Sequence, residues 1–541
     1  MIRPFAITLG VGTSRANHTG SWRVERPIYV DRLPPCNDAC PAGENIQGWL
    51  YAAESGDYET AWRHLVEDNP MPAVMGRICF HPCETACNRA TLDEAVGINA
   101  VERFLGDEAI AQGWALPAAG ADTGKRVLVV GSGPAGLSAT YHLRRLGHRV
   151  TIVDSAARLG GMMRYGIPAY RLPRDVLDAE IERILDLGVE VRLDHVVHDV
   201  EAERRDGDYD AVFLAVGAQL GKRVEIPAGD SSKVIDAVSF LHSVAEGATP
   251  QLGRRVVVYG GGDTALDAAR TARRLGATES VIVYRRDRER MPAHSEELEQ
   301  ALVEGVTMRW LSTVDRLDGD RLVVETMRLN DQGFPEGTGE FEELGADALV
   351  LALGQDTDLS LLSGAHDVVV ADGVVQVATS MMTGADGVFA GGDAVPDQRT
   401  ATVAVGHGKR AAHGVDRYLR GDAPVATSRH ALATFDRLNT WYYADAPRVH
   451  RPELERIRRQ TNFEEVVGGL TEDNALFEAR RCLSCGNCFE CDNCFGVCPD
   501  NAVIKLGEGQ RYEFNYDFCK GCGVCVTECP CGAIELVPEE I

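Results

Sequence analysis

Between Cys87 and Cys482 the sequence has no cysteine. All 16 cysteines of the 541-residue chain crowd its two ends, five from Cys36 to Cys87 and eleven from Cys482 to Cys531. A secreted, disulfide-held protein spreads its pairs through a small domain, so this pattern excludes that class. Long apolar runs are also missing, and no stretch of 18 apolar residues is there to span a membrane as a helix. The start, MIRPFAITLG, lacks a basic segment followed by an apolar one, so no secretion signal is read and a reducing, cytoplasmic location is expected. Positive charge is scarce: 55 Lys and Arg face 81 Asp and Glu, a formal −26. So acidic a chain binds polyanions poorly, which argues against a nucleic-acid partner. What is present is ordinary globular material, 45% hydrophobic and 25% charged, enough for three or four cores. The 56 glycines point to many tight turns or close backbone approaches.

The pattern divides the chain. Residues 1–120 read as a small helical domain, with apolar residues at three- and four-residue spacing in IQGWLYAAESGDYETAWRHLVEDN. In 121–250, KRVLVVGSGPAGLSATYHLRRLGHRVTIVD is an apolar run, a Gly-rich turn, a helix and a second apolar run, hence a βαβ unit. A second such unit opens 251–355 with RRVVVYGGGDTALDAARTARRLGATESVIVYRR. DGVFAGGDAV in 356–424 returns to a strand and Gly turn. Residues 425–480 are polar and read as a helical linker. The cysteine-rich piece 481–541 is too small to build a core without metal.

Cys488-x2-Cys491-x2-Cys494-x3-Cys498-Pro and Cys519-x2-Cys522-x2-Cys525-x3-Cys529-Pro repeat the spacing of bacterial two-cluster ferredoxins. Three close thiolates wrap one [4Fe–4S] cube, and the fourth of each run reaches the other cube. Cys488, Cys491, Cys494 and Cys529 are therefore expected on one cluster, and Cys519, Cys522, Cys525 and Cys498 on the other. Zinc ribbons also use C-x2-C pairs but do not need the x3-Cys-Pro ending. The tail resembles the ferredoxin-type subunit of 2-oxoacid:ferredoxin oxidoreductases in FNYDFCKGCGVCVTECPCGAIELVPEE.

Gly131-Ser-Gly133-Pro-Ala-Gly136 follows a strand and opens a helix, and Asp154 ends the next strand. Such glycines let backbone amides reach a pyrophosphate at a helix N-terminus, and the acid accepts from a ribose hydroxyl. The second loop is Gly260-Gly261-Gly262-Asp263-Thr264, and its following strand ends in Tyr284-Arg285-Arg286 with no acid. An acid would repel a 2′-phosphate and an arginine can hold one, so NADP(H) is expected here unless the arginines are only a solvated face. The two loops and the return at Gly391-Gly392-Asp393 match two-dinucleotide flavoprotein reductases. GGMMRYGIPAYRLP, GGGDTALDAAR, YRRDRERMPA and AGGDAV resemble the glutamate synthase small-subunit group. That resemblance implies FAD on Gly131, Gly133, Gly136, Asp154, Gly391 and Asp393, and NADPH on Gly260, Gly262, Thr264, Arg285 and Arg286. The expected fold is α/β: two Rossmann-like domains, an N-terminal helical iron–sulfur domain and a C-terminal two-cluster ferredoxin-like domain.

GRICFHPCETACNR also matches that group, which holds one cluster with three Cys and a Glu or Gln. Carried over, those ligands are Cys40, Cys79, Cys83 and Glu102, although Glu102 alone would read as a helix-surface acid. The group's other N-terminal cluster uses a further C-x2-C upstream of Cys36, which is absent here. Cys36 and Cys87 are thus left over at one end, and Cys482-x2-Cys485 at the other. These four are expected to form one cluster spanning both ends of the chain; otherwise they are buried thiols. Cys531 is spare in either case.

The implied cofactors are FAD, NADP(H) and three or four [4Fe–4S] clusters. No thiamine-diphosphate motif or amidotransferase nucleophile occurs, so the organic chemistry is expected on a partner subunit. The tail points to a 2-oxoacid:acceptor oxidoreductase reducing NADP+. The alternative partner is the glutamate-forming subunit of a glutamate synthase.

Overall fold

The computed structural model describes residues 18–222, 226–227, 234–423, 429–507 and 509–539. The β-branched runs RVLVV and RVTIV become parallel strands Arg126–Val130 and Arg149–Val153, which are buried except at their first residues. They sit inside a five-stranded sheet with spatial order Val388–Ala390, Ala211–Leu214, Arg126–Val130, Arg149–Val153, Glu190–Arg192, every pairing parallel. Strands covered on both faces read as continuous apolar runs, which is why these were legible. Helices Pro134–Arg145 and Ala401–Arg420 pack together against this sheet.

A second five-stranded parallel sheet runs Thr307–Arg309, Glu279–Val283, Arg255–Gly260, Ala348–Ala352, Val234–Asp236. A three-stranded antiparallel sheet, Ser312–Asp318, Arg321–Leu329 and Pro335–Gly345, is attached to it. The N-terminal helices Ile46–Glu54, Tyr58–Leu65, Pro72–Ile78 and Ile98–Gln112 share one core with the first sheet, Trp49 and Trp62 fully buried among them.

Three boundaries differ from the sequence reading. The second nucleotide domain begins before 251: Ile226 packs on one of its cores, the strand Val234–Asp236 pairs with Ala348–Ala352, and the helix Ala237–Ala245 buries Phe240 and Leu241. The N-terminal helical unit does not include residues 18–30. Their strand Glu25–Tyr29 pairs antiparallel with Ile534–Pro538 and completes the C-terminal domain. Segment 425–480 is not a helical linker. Among its described residues, the α-helices are Arg456–Arg459 and Glu472–Ala479, with 3-10 turns at Phe435–Arg437 and Thr440–Tyr442. Pro447 and Pro452 bar a long helix, and the backbone donors go elsewhere. Ala446 N donates to Asp93 (2.9 Å), Arg448 N to Glu94 (2.9 Å) and Val466 N to Tyr170 O (2.9 Å). The segment is a strap laid over the helical domain and both nucleotide domains.

Candidate functional site

Both glycine loops are built by close backbone approach. Gly131 has φ +102°, and a Cβ there would lie 2.3 Å from Ala215 O. A Cβ on Gly136 would lie 2.0 Å from Gly131 O, and one on Gly260 2.2 Å from Ala352 O. Gly133 and Gly262 differ: a Cβ on either would meet nothing within 4 Å. Each is the N-cap of a 12-residue helix, Pro134–Arg145 and Asp263–Arg274, and neither cap is closed by a side chain. Open space over uncapped helix N-termini fits a phosphate.

Both loops face one open cavity, whose walls include Gly131, Gly133, Asp154, Thr264 and Asp393. Asp154 Oδ2 accepts from Ser132 N (2.8 Å) and Ser132 Oγ (2.5 Å), so the acid also fixes the loop it follows. Thr264 Oγ1 accepts from Gln355 Nε2 at 3.3 Å. Burial pushes the Asp393 carboxyl up, partly offset by Arg399. Gly391 lies against the Phe213 ring and the Cβ of His407, and His407 Nδ1 accepts from Gly392 N (3.1 Å). His407 was not singled out from the sequence. Tyr284 packs so tightly on Gly261 that a Cβ there would lie 2.3 Å from its ring. Arg285 is exposed, while Arg286 Nε is buried with no hydrogen-bond partner among the described residues. An orphaned guanidinium donor fits an anionic 2′-phosphate.

All 16 cysteines are free thiols. No group of three or more His, Cys, Asp or Glu side chains among the described residues is set to hold a metal ion. Two quartets stand around voids instead. Cys36, Cys87, Cys482 and Cys485 line one small cavity. Arg481, fully buried, pins Cys482 there by donating to Glu478 (2.9 Å), Glu94 O (2.7 Å) and Ala95 O (3.0 Å). Cys498, Cys519, Cys522 and Cys525 line another, together with Pro27. Cys529 raises the pKa of Cys488, Cys491 and Cys494, so these four too are neighbours, while the hydrogen bond with Cys531 lowers Cys529 itself to about 6. Burial pushes the Cys494 thiol up to about 11 and the Cys525 thiol up to about 12. Such thiols give up their protons only to a cationic centre, as cluster ligation requires.

Cys40, Cys79 and Cys83 feel Glu102, which lies buried on Ile98–Gln112. Glu102 is therefore not a surface acid. Glu44, unmarked by any motif, is a second buried carboxylate beside Cys40, and burial pushes it up to about 7. Asn69 Nδ2 donates to both carboxylates, at 3.0 Å to Glu44 and 2.9 Å to Glu102. Ile78 and Phe80, flanking Cys79, form part of the wall of the cavity shared by the glycine loops. Phe80 also stacks on His294 of the second nucleotide domain (centroids 3.2 Å, 2°).

Residues 125–408 match the family described as pyridine nucleotide-disulphide oxidoreductase. The chain belongs to this family. Residues 26–114 of this oxidoreductase match the dihydropyrimidine dehydrogenase domain II, 4Fe-4S cluster, and 512–535 a 4Fe-4S binding domain. It is 35% identical over 496 residues to "NADP(+)-dependent formate dehydrogenase subunit beta" of Moorella thermoacetica, covering 83% of this chain and 70% of that one. It is 32% identical to "NADPH-Fe(3+) oxidoreductase subunit beta" of Geobacter sulfurreducens, with 85% and 77% covered. It is also 32% identical to "Glutamate synthase [NADPH] small chain" of Azospirillum brasilense, with 73% and 89% covered. The oxidoreductase thus has an FAD- and NADP(H)-binding α/β fold with 4Fe-4S domains towards both termini. No helix among the described residues is long and apolar enough to cross a membrane.

Proposed function

We propose that this chain is the electron-transfer subunit of an NADP-dependent complex. FAD lies on the Gly131–Gly136 loop, Asp154 and Gly391–Asp393. NADP(H) lies on Gly260, Gly262, Thr264, Arg285 and Arg286. Flavin exchanges two electrons with a nicotinamide and one with a cluster, which is the conversion the assembly supplies. The protein's part is binding and alignment. The uncapped helix N-termini take the phosphates, and Phe80 and Ile78 set Cys79 against the flavin cavity. The single observation that carries this reading is that both glycine loops open into one cavity walled by the neighbours of Cys79. The relay assigned beyond it has four stations. They are Cys40/Cys79/Cys83/Glu102, then Cys36/Cys87/Cys482/Cys485, then Cys488/Cys491/Cys494/Cys529, then Cys498/Cys519/Cys522/Cys525.

The partner is a catalytic subunit that oxidises a small carbon acid and exchanges its electrons with NADP+. The 2-oxoacid expectation rests on the tail of about 60 residues, whereas the likeness to the formate dehydrogenase beta subunit runs over 496 residues and favours a formate-type partner. A glutamate-forming partner is the second reading, favoured by the likeness to the glutamate synthase small chain. The test is anaerobic titration with NADPH, followed by identification of co-purifying chains. Flavin bleaching followed by cluster reduction supports the reading, and a flavin that NADPH leaves oxidised overturns it.

A further inference from the structure

The strand Glu25–Tyr29 brings one side chain from the N-terminal end of the chain into the C-terminal cysteine domain. Tyr29 pairs with Ile534 across that two-stranded sheet, and its ring stacks on Phe514 (centroids 4.8 Å, interplanar 16°). This packing directs the phenol at a sulfur, so that the Tyr29 hydroxyl lies 3.2 Å from Cys494 Sγ. Cys488 of the same quartet and Cys525 of the other are also within electrostatic reach of the phenol.

The internal repeat supplies its own comparison. Cys525 occupies in the second run the place of Cys494 in the first, and no hydroxyl among the described residues is hydrogen-bonded to its sulfur. The fourth cysteines share a backbone donor, Cys498 Sγ accepting from Ala502 N (3.2 Å) and Cys529 Sγ from Ala533 N (3.4 Å), and Cys529 Sγ also lies 3.7 Å from Cys531 Sγ. The other tyrosines of this core, Tyr512 and Tyr516, donate to Asp492 Oδ1 (2.5 Å) and Pro27 O (2.8 Å) and not to a sulfur.

We infer that Tyr29 is a positioning residue that sets the reduction potential of the Cys488/Cys491/Cys494/Cys529 cluster, by donating its phenolic hydrogen bond to Cys494 Sγ. The inference rests on the reading of those four cysteines as one cluster's ligands. Taking up one electron makes the ligand sulfur more negative, so the O–H···S bond strengthens in the reduced form and favours it. No proton moves, because the phenol keeps its own. The hydroxyl thereby makes the first ferredoxin cluster more easily reduced than it would be without it, an effect exerted by a residue 465 positions away in sequence.

The test is an EPR-monitored redox titration of the whole protein and its Tyr29→Phe variant, with iron counted in both. Phe keeps the stack on Phe514 and removes only the hydroxyl. One ferredoxin-type signal should shift so that its reduced-to-oxidised ratio at a fixed potential falls about tenfold, a drop of about 59 mV for one electron. The other signals and the iron count should stay. Both tail signals present and unmoved in the variant overturn the inference alone. Absence of a pair of ferredoxin-type signals from the unmodified protein overturns the ligand reading beneath it. If the variant loses iron, resonance Raman of the unmodified protein decides. A shift of an Fe–S(Cys) band on transfer to D2O that is reproduced with ring-deuterated but hydroxyl-protonated tyrosine overturns the inference. A shift that needs exchangeable deuterium and is absent when 4-fluorophenylalanine replaces Tyr29 supports it.

Discussion

The imidazole of His407 accepts the amide proton of Gly392 through Nδ1, at 3.1 Å. Its Nε2 faces Asp397 Oδ2 at 3.0 Å, which fixes the tautomer that leaves Nδ1 free to accept. A protonated ring would turn a hydrogen toward the Gly392 N–H and lose the bond that holds the Gly391–Asp393 loop. Burial is the leading cause holding the His407 pKa below its usual value, with Asp397 acting the other way. Because the folded pKa is lowered, this contribution to stability is complete above about pH 6.5 and is lost as the pH falls through the folded value. Flavin retention and melting temperature should therefore fall below that pH in the unmodified protein. His407→Gln keeps an acceptor without titrating, so its retention should be flatter across pH 5–7, at a cost of about 1 kcal/mol in stability. Equal pH slopes in both proteins would remove His407 from this role.

NADPH should reduce the flavin at far lower concentration than NADH. A charge-assisted bond to a 2′-phosphate contributes about 1.5–3 kcal/mol, or roughly 10- to 100-fold. On the proposed assignment Arg286, whose buried Nε has no partner among the described residues, and the exposed Arg285 would donate it. Arg285→Ala/Arg286→Ala should remove most of the preference by weakening NADPH alone. Stopped-flow reduction with both nucleotides reads this directly, and equal efficiency in the unmodified protein sinks the argument.

What was legible in the sequence is what lies close together along it. A glycine loop declares itself within thirty residues, and so does a C-x2-C-x2-C-x3-C-P run. Tyr29 could not be read that way. Its strand is five residues long, contains Pro27, and takes its register from Ile534–Pro538 some 500 residues on. Val234–Asp236 is too short for any period to show. Glu44 carries no motif and becomes a site candidate only because folding buries it beside Cys40 and ties it through Asn69 to Glu102. The strap at 425–480 has a polar pattern that tolerates a helix, but its amides find acceptors on Asp93, Glu94 and Tyr170. The grouping of Cys36 and Cys87 with Cys482 and Cys485 could be reached only by elimination. The structure adds the reason they meet: Arg481 anchors the second pair on the helical domain.

Coupling to the partner should weaken with salt. Residues 482–541 hold ten acids and three bases, so a docking partner should present a basic face. Cys491 and Cys522 are exposed, and Trp441, 87% exposed, adjoins Tyr442, which donates to Glu528. Raising ionic strength from 0.01 to 1 M shortens the screening length from about 30 to about 3 Å. Electron transfer to the partner should then slow by tenfold or more while NADPH-to-flavin reduction holds. A rate indifferent to salt would mean an apolar interface or an exit other than the tail.

Iron content separates the three-cluster and four-cluster assignments. The two ferredoxin quartets and Cys40/Cys79/Cys83/Glu102 account for about 12 Fe, and the quartet spanning both ends raises this to about 16. Cys482 and Cys485 lie outside the ferredoxin sets and share their cavity with Cys36 and Cys87. In anaerobically reconstituted protein, Cys482→Ala/Cys485→Ala should therefore lose about four Fe and four acid-labile sulfides while both ferredoxin-type EPR signals persist. NADPH should still bleach its flavin, because Ile78 and Phe80 keep the Cys79 quartet against the flavin cavity. Reduction of the tail clusters should slow sharply, since the station between the helical and ferredoxin domains is gone. A count near 12 in the unmodified protein, unchanged in the variant, would leave Cys36, Cys87, Cys482 and Cys485 as buried thiols around a void. Electrons would then have to cross from the helical domain to the tail without that station.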